Sequence, residues 1–79
     1  MIKTREQQIK AAYRAMRHGS TIICNGCRVW RVWSKQGHGH ICWDNGSGPN
    51  QMAVNIESLR WVFRNVAHSE RYEWEEEYN

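Results

Sequence analysis

Cys24, Cys27, His38, His40 and Cys42 fall close together along the chain, and thiolate and imidazole are the ligands that tetrahedral zinc prefers. Cys24-x-x-Cys27 has the spacing of half a zinc ribbon, and His40-x-Cys42 would complete a set of three sulfurs and one nitrogen. On a strand, His38, His40 and Cys42 share one face and can converge. Two features oppose this chemistry. Structural sites usually use two knuckles with ligands two to four residues apart, and one residue separates His40 from Cys42. Asn25-Gly26, between the first two cysteines, also suits a tight hairpin better than a metal knuckle. The plainer reading is cysteines packed as small hydrophobes beside a hairpin, with histidines on the surface. The expectation is therefore no metal and no cofactor, with zinc at Cys24, Cys27, His40 and Cys42 as the lesser alternative.

Other catalytic chemistry has less to stand on. A redox Cys-x-x-Cys pair needs its first thiol at a helix N-terminus, whereas strand-like sequence flanks Cys24 and Cys27 on both sides. No Ser, His and Asp set has usable spacing, and no glycine-rich loop opens a helix to hold phosphate. A chain of 79 residues also leaves little room for a substrate pocket of a few hundred Å³. A non-catalytic protein without a small-molecule substrate is expected.

Aromatic rings and charge say more. Trp30, Trp33, Trp43, Trp61 and Trp74 are five indoles in a small chain. Each can bury about 150–250 Å², more in sum than so small a core takes in. Trp30 and Trp33 are an odd number of residues apart, so a regular strand sends them to opposite faces. One is expected in the core beside Val29 or Val32, the other outside. Arg28 accompanies Trp30 and Arg31 accompanies Trp33, so either face pairs a guanidinium with an indole. That composition stacks bases and grips phosphate, and it equally marks protein-interface hot spots.

Charge is segregated along the sequence. Residues 1–43 carry Lys3, Arg5, Lys10, Arg14, Arg17, Arg28, Arg31 and Lys35 against Glu6 alone. Residues 69–79 carry Glu70, Glu73, Glu75, Glu76 and Glu77 against Arg71. A basic front attracts nucleic acid, and an acidic end can repel it, fold back onto the basic region or dock on a basic partner.

The elements that must position these groups follow from local signals. Thr4 and Gln7 form a capping box, and Ile9, Ala12, Tyr13 and Met16 make one helical stripe. Arg14, Arg17 and His18 suit the last turns, and Gly19 closes a helix over 4–18. Thr21-Ile22-Ile23-Cys24 reads as a strand, Asn25-Gly26 as a two-residue turn, and 27–34 as the return strand. A turn at 35–39, a strand at 40–44, a loop at 45–50 and a short fourth strand over 52–56 complete the sheet. From Asn55 onward two readings compete. Leu59, Val62, Phe63 and Val66 fit a helix capped by Asn55; alternatively Trp61-Val62-Phe63 is a further strand. The helix fits better. Residues 69–79 extend that helix or form a mobile acidic tail.

The fold class is thus α+β in one domain spanning 1–79. An N-terminal helix leads into three or four antiparallel strands, as an SH3-like barrel or an open meander, then a C-terminal helix. The apolar fraction of 41% with one proline argues against disorder, and no apolar run is long enough to span a bilayer. The absence of a signal-like leader and the odd count of three cysteines fit a reduced, cytoplasmic setting.

Three stretches share a pattern: Gly26-Cys27-Arg28-Val29-Trp30-Arg31-Val32, Ile41-Cys42-Trp43-Asp44-Asn45-Gly46 and Val54-Asn55-Ile56-Glu57-Ser58-Leu59-Arg60. They resemble small barrels of the SH3-like or Tudor type, over about half the chain from Ile22 to Val62. The resemblance implies a module that binds peptides or nucleic acids, and some small prophage proteins of unknown role are similar. The capped N-terminal helix departs from the barrel pattern. The order helix, strands, helix also resembles double-stranded-RNA-binding domains, but Glu57 stands where their lysine cluster opens the second helix.

Two function classes follow. In the first, the chain binds another protein through Trp33, Tyr72, Trp74, Tyr78, Glu73, Glu75 and Glu76, a phage-type inhibitor of a host protein being one special case. In the second, it binds nucleic acid through Arg14, Arg17, Arg28, Trp30, Arg31, Trp33 and Lys35. Neither class involves a membrane.

Overall fold

The structure, a computed structural model, describes residues 3–33, 39–46 and 49–77. Lys35, His38, Tyr78 and most of the turn expected at 35–39 lie outside these residues.

Helix α1 spans Arg5–Arg17. The expected capping box is present: Thr4 Oγ1 accepts from the Gln7 amide at 3.1 Å, and Gln7 Oε1 accepts from the Thr4 amide at 2.8 Å. Its stripe of Ile9, Ala12 and Met16 is buried. Strand β1 (Thr21–Cys24) and strand β2 (Cys27–Trp33) form the expected hairpin. Asn25 and Gly26 take φ of 53° and 84°, the positive values a two-residue turn of this hand requires. Asn25 also donates its side-chain amide to the Ala67 carbonyl at 2.7 Å, tying the hairpin turn to the far end of the second helix.

Strand β3 is Gly39–Asp44 and β4 is Pro49–Ala53. The fourth strand, expected over 52–56, begins earlier and ends at Ala53, because Asn55 leaves the sheet to cap α2 (Ile56–Trp61). Its Oδ1 accepts from the Ser58 amide at 2.8 Å. The helical alternative therefore describes this region, and α2 runs straight into a π-helical turn, Val62–Val66. There the Ala67 amide reaches the Val62 carbonyl at 2.9 Å, five residues back.

The acidic segment is neither a helical extension nor a free tail through residue 77. Glu75–Glu77 forms β5, which pairs antiparallel with β1. The sheet is five-stranded and open, in the order β4-β3-β2-β1-β5, with β4 and β5 as its edges. It has one strand more than the sequence reading expected. Glutamate is a poor strand former, so propensity hides β5. What holds it is the preceding alternation: Tyr72 is buried edge-on against Phe63, with centroids 5.7 Å apart, and the half-buried Trp74 donates its indole N–H to the Gln8 carbonyl at 2.9 Å.

Both helices lie on one face of the sheet. Ile9, Met16, Leu59, Val62 and Phe63 from the helices meet Ile22, Val29, Ile41 and Trp43 from the strands in one core. Burying each of these large side chains stabilises the fold by about 1.5–3 kcal/mol. Among the described residues no helix is long and apolar enough to cross a membrane.

Candidate macromolecular interface

Register decides which side chains the helices cover. Directly opposed residues in an antiparallel pair project to the same face. Ile22, Val29 and Trp43 align across β1, β2 and β3 and face the helices. The alternate residues therefore form the opposite face, which no element covers among the described residues. Ile23, Arg28 and Asp44 make one row, Trp30, Cys42 and Gln51 a second, and Val32, His40 and Ala53 a third. Strand β5 adds Glu75 beside Ile23 and Glu77 beside Thr21. The middle of this open face is apolar: Ile23 and Trp30 are half-buried, Val32 is 38% exposed, and the small Cys42 is buried below its taller neighbours.

Carboxylates rim one end of the apolar strip. Arg28 Nη2 lies 3.3 Å from Glu77 Oε1, and Asp44 and Glu75 share that face. Thr21, Arg28, Trp30, Asp44 and Glu77 line a hollow of about 300 Å³ there. The face is thus apolar at its centre and acidic at its rim, with one guanidinium among three carboxylates.

The structure scatters the residue set expected to bind nucleic acid. Arg14 and Arg17 point to solvent from α1, Arg28 and Trp30 lie on the open face, and Arg31 and Trp33 lie on the helix side of the sheet. The acidic β5, laid beside Arg28, opposes a polyanion there. The set expected to bind protein is divided as well. Tyr72 is only 5% exposed and packs in the core, so its ring is unavailable to a partner. Trp74 is committed to α1 through its indole hydrogen bond, Glu76 is half-buried, and Glu73 and Glu75 are exposed.

Trp33 is 62% exposed and held in place. The Arg31 guanidinium stacks 4.2 Å from its ring centroid, with Tyr13 6.0 Å from the same guanidinium. Gly39, its register partner, gives the ring room: a Cβ there would lie 3.2 Å from Trp33 and 2.5 Å from Val54. Neither Trp30 nor Trp33 enters the core, contrary to the expectation that one would. Trp33 shares a face with Val29 but sits past the reach of the helices. The core indole is Trp43, 7% exposed, and its ring lies 6.0 Å from that of Trp61, which is 46% exposed. Parity in the sequence separates Trp30 from Trp33; which of them a helix covers depends on where α1 crosses the sheet, and no local signal carries that.

Cys24 and Cys27 face the helices, whereas His40 and Cys42 lie on the open face. The sheet therefore separates the four residues of the zinc alternative, and no metal-binding cluster exists among the described residues. Burial raises the pKa of all three thiols, and the Cys24 and Asp44 charges raise that of Cys27 further. A raised thiol pKa means that the folded chain keeps a proton the unfolded chain gives up. The associated stability is complete below the unfolded thiol value, about 8.5, and falls as pH rises from there toward the folded values. The melting temperature is therefore expected to fall more steeply above about pH 8.5 than in a variant combining Cys24→Ala, Cys27→Ala and Cys42→Ala. Equal slopes in differential scanning fluorimetry would count against buried, protonated thiols.

One concavity gathers residues that no sequence motif marks. Arg5, Arg64, His68, Ser69, Glu70 and Tyr72 line a polar cleft of about 510 Å³ at the start of α1. It forms because the chain after the π-helical turn takes positive φ at His68 and Tyr72, 52° and 57°, and doubles back over α1.

Comparison with protein families, with curated proteins and with solved structures finds no match to this chain.

Proposed function

We propose that this chain is a non-catalytic module that binds another protein through the uncovered face of its sheet. One observation carries the reading: the face opposite the helices has an apolar centre of Ile23, Trp30, Val32 and Cys42. An antiparallel sheet can leave one face to water when that face is polar, and this one is polar only at its rim. Trp33, exposed and stacked on Arg31 at the end of the same strand, projects from the other side of the sheet and is a separate aromatic anchor of the kind that dominates protein interfaces.

A second reading rests on α1. Lys10, Arg14 and Arg17 recur at helical spacing on its exposed side, and none forms an ion pair among the described residues. Such a stripe follows a phosphate backbone, and binding by it would weaken steeply with salt.

Capture from cell lysate with and without nuclease separates the two. The protein reading expects a nuclease-resistant partner that is lost on Val32→Glu, a substitution at an exposed position that leaves the melting curve unchanged. Capture that nuclease abolishes and Val32→Glu spares would overturn it in favour of the helix stripe.

A further inference from the structure

The hollow at the acidic end of the open face has the composition of a receptor for a cation. Trp30, Asp44 and Glu77 are among the residues that line it. An indole face beside carboxylates attracts a guanidinium or ammonium group. Asp44 is fixed in direction, because one of its oxygens accepts from the Gly46 amide at 2.9 Å. Among the described residues Glu77 is incompletely satisfied: Oε1 meets Arg28 at 3.3 Å, and the buried Oε2 has no hydrogen-bond donor. Charge-assisted N–H···O bonds between such groups are ordinarily about 2.7–2.9 Å, so the Arg28 contact is long and Arg28 itself remains largely exposed. Glu75 adds a third carboxylate on the same face.

From this charge complementarity we infer that the open face takes an extended, apolar protein segment carrying a lysine or arginine, and that this side chain enters the hollow over Trp30. Arg28 is the resident stand-in, which the incoming cation displaces from Glu77. The inference rests on the protein-binding reading and adds the partner's chemistry to it.

The test uses two blocked synthetic peptides of leucine and serine, one carrying a single central arginine, the arginine peptide, and the other a single central glutamate, the glutamate peptide. Binding is read from the Trp30 indole N–H signal in NMR titrations of the whole chain. The arginine peptide is expected to move that signal and the glutamate peptide to leave it in place. Removing the stand-in by Arg28→Ala should tighten the arginine peptide about threefold or more, and Asp44→Asn with Glu77→Gln should weaken it about tenfold. Both carboxylate substitutions preserve shape, and Glu77→Gln alone gives the same direction if the double variant melts early. Preference for the glutamate peptide, or weaker binding after Arg28→Ala, overturns the inference. Equal binding of both peptides at Trp30 also overturns it while leaving the protein-binding reading intact. If neither peptide moves Trp30 the inference falls, and the broader reading then stands or falls with the Val32→Glu capture experiment.

Discussion

Truncating the chain after Arg71 is expected to leave most molecules unfolded at 37 °C, although the removed segment looks from its composition like a solvated tail. Truncation removes the Tyr72 ring, buried edge-on against Phe63, and a core ring of this size is worth about 3–5 kcal/mol. It removes the half-buried Trp74, whose indole hydrogen bond to the Gln8 carbonyl is worth a further amount of about 0.5–1.5 kcal/mol. It also strips β5 from β1, which loses its partners Glu75, Glu76 and Glu77 and stays paired with β2 alone. Domains are stable by about 5–15 kcal/mol, and one this small lies near the bottom of that range. Far-UV circular dichroism and thermal denaturation decide the matter. A truncated chain melting within a few degrees of the full one would show that the segment is attached without being structural. Glu73→Ala, at an exposed position in the same segment, is expected to change nothing measurable.

The second large effect separates the tryptophans. Trp43→Ala should cost about 3–5 kcal/mol, because it opens a cavity in the core and removes the partner of the Trp61 ring. Trp61→Ala and Trp33→Ala should each cost about 1 kcal/mol or less, since both rings are substantially exposed and truncating them opens no cavity. Denaturant titration of the three variants gives the contrast directly. A Trp33→Ala variant as unstable as Trp43→Ala would mean that the Arg31–Trp33 stack belongs to the structural core and is not an anchor held for a partner.

Much of this fold is written in local signals. Thr4, Gln7 and the Ile9, Ala12, Met16 stripe give α1, and Asn25-Gly26 gives the first hairpin. Asn55 with the spacing of Leu59, Val62 and Phe63 gives α2. Each rests on residues within a turn or two of one another. Strand β5 was not legible by propensity, because its three glutamates do not read as a strand. The period-two alternation of Tyr72, Trp74 and Glu76 does carry the signal, once the aromatic residues are seen as pointing inward. The candidate site was less legible still. Trp30, Arg28 and Val32 were in view, but the acidic rim exists only because β5 adds itself to β1, a pairing across some fifty residues that no local pattern specifies. The sequence suggested a basic aromatic face; the register turns it into an acidic one. Tyr72 and Trp74 could not be assigned to the interior without knowing that Phe63 and Gln8 wait beside them.

Strand β5 has a last consequence for how this protein behaves in concentrated solution. An outermost strand offers unsatisfied backbone groups on which another copy can continue the sheet, and repeated addition of that kind builds fibrils. Here such an addition would set three consecutive carboxylates of one molecule against those of the next, at the roughly 5 Å spacing of neighbouring strands. The mutual repulsion disfavours the pairing of two such borders, so the residues that looked least like a strand are the ones that guard this edge of the sheet.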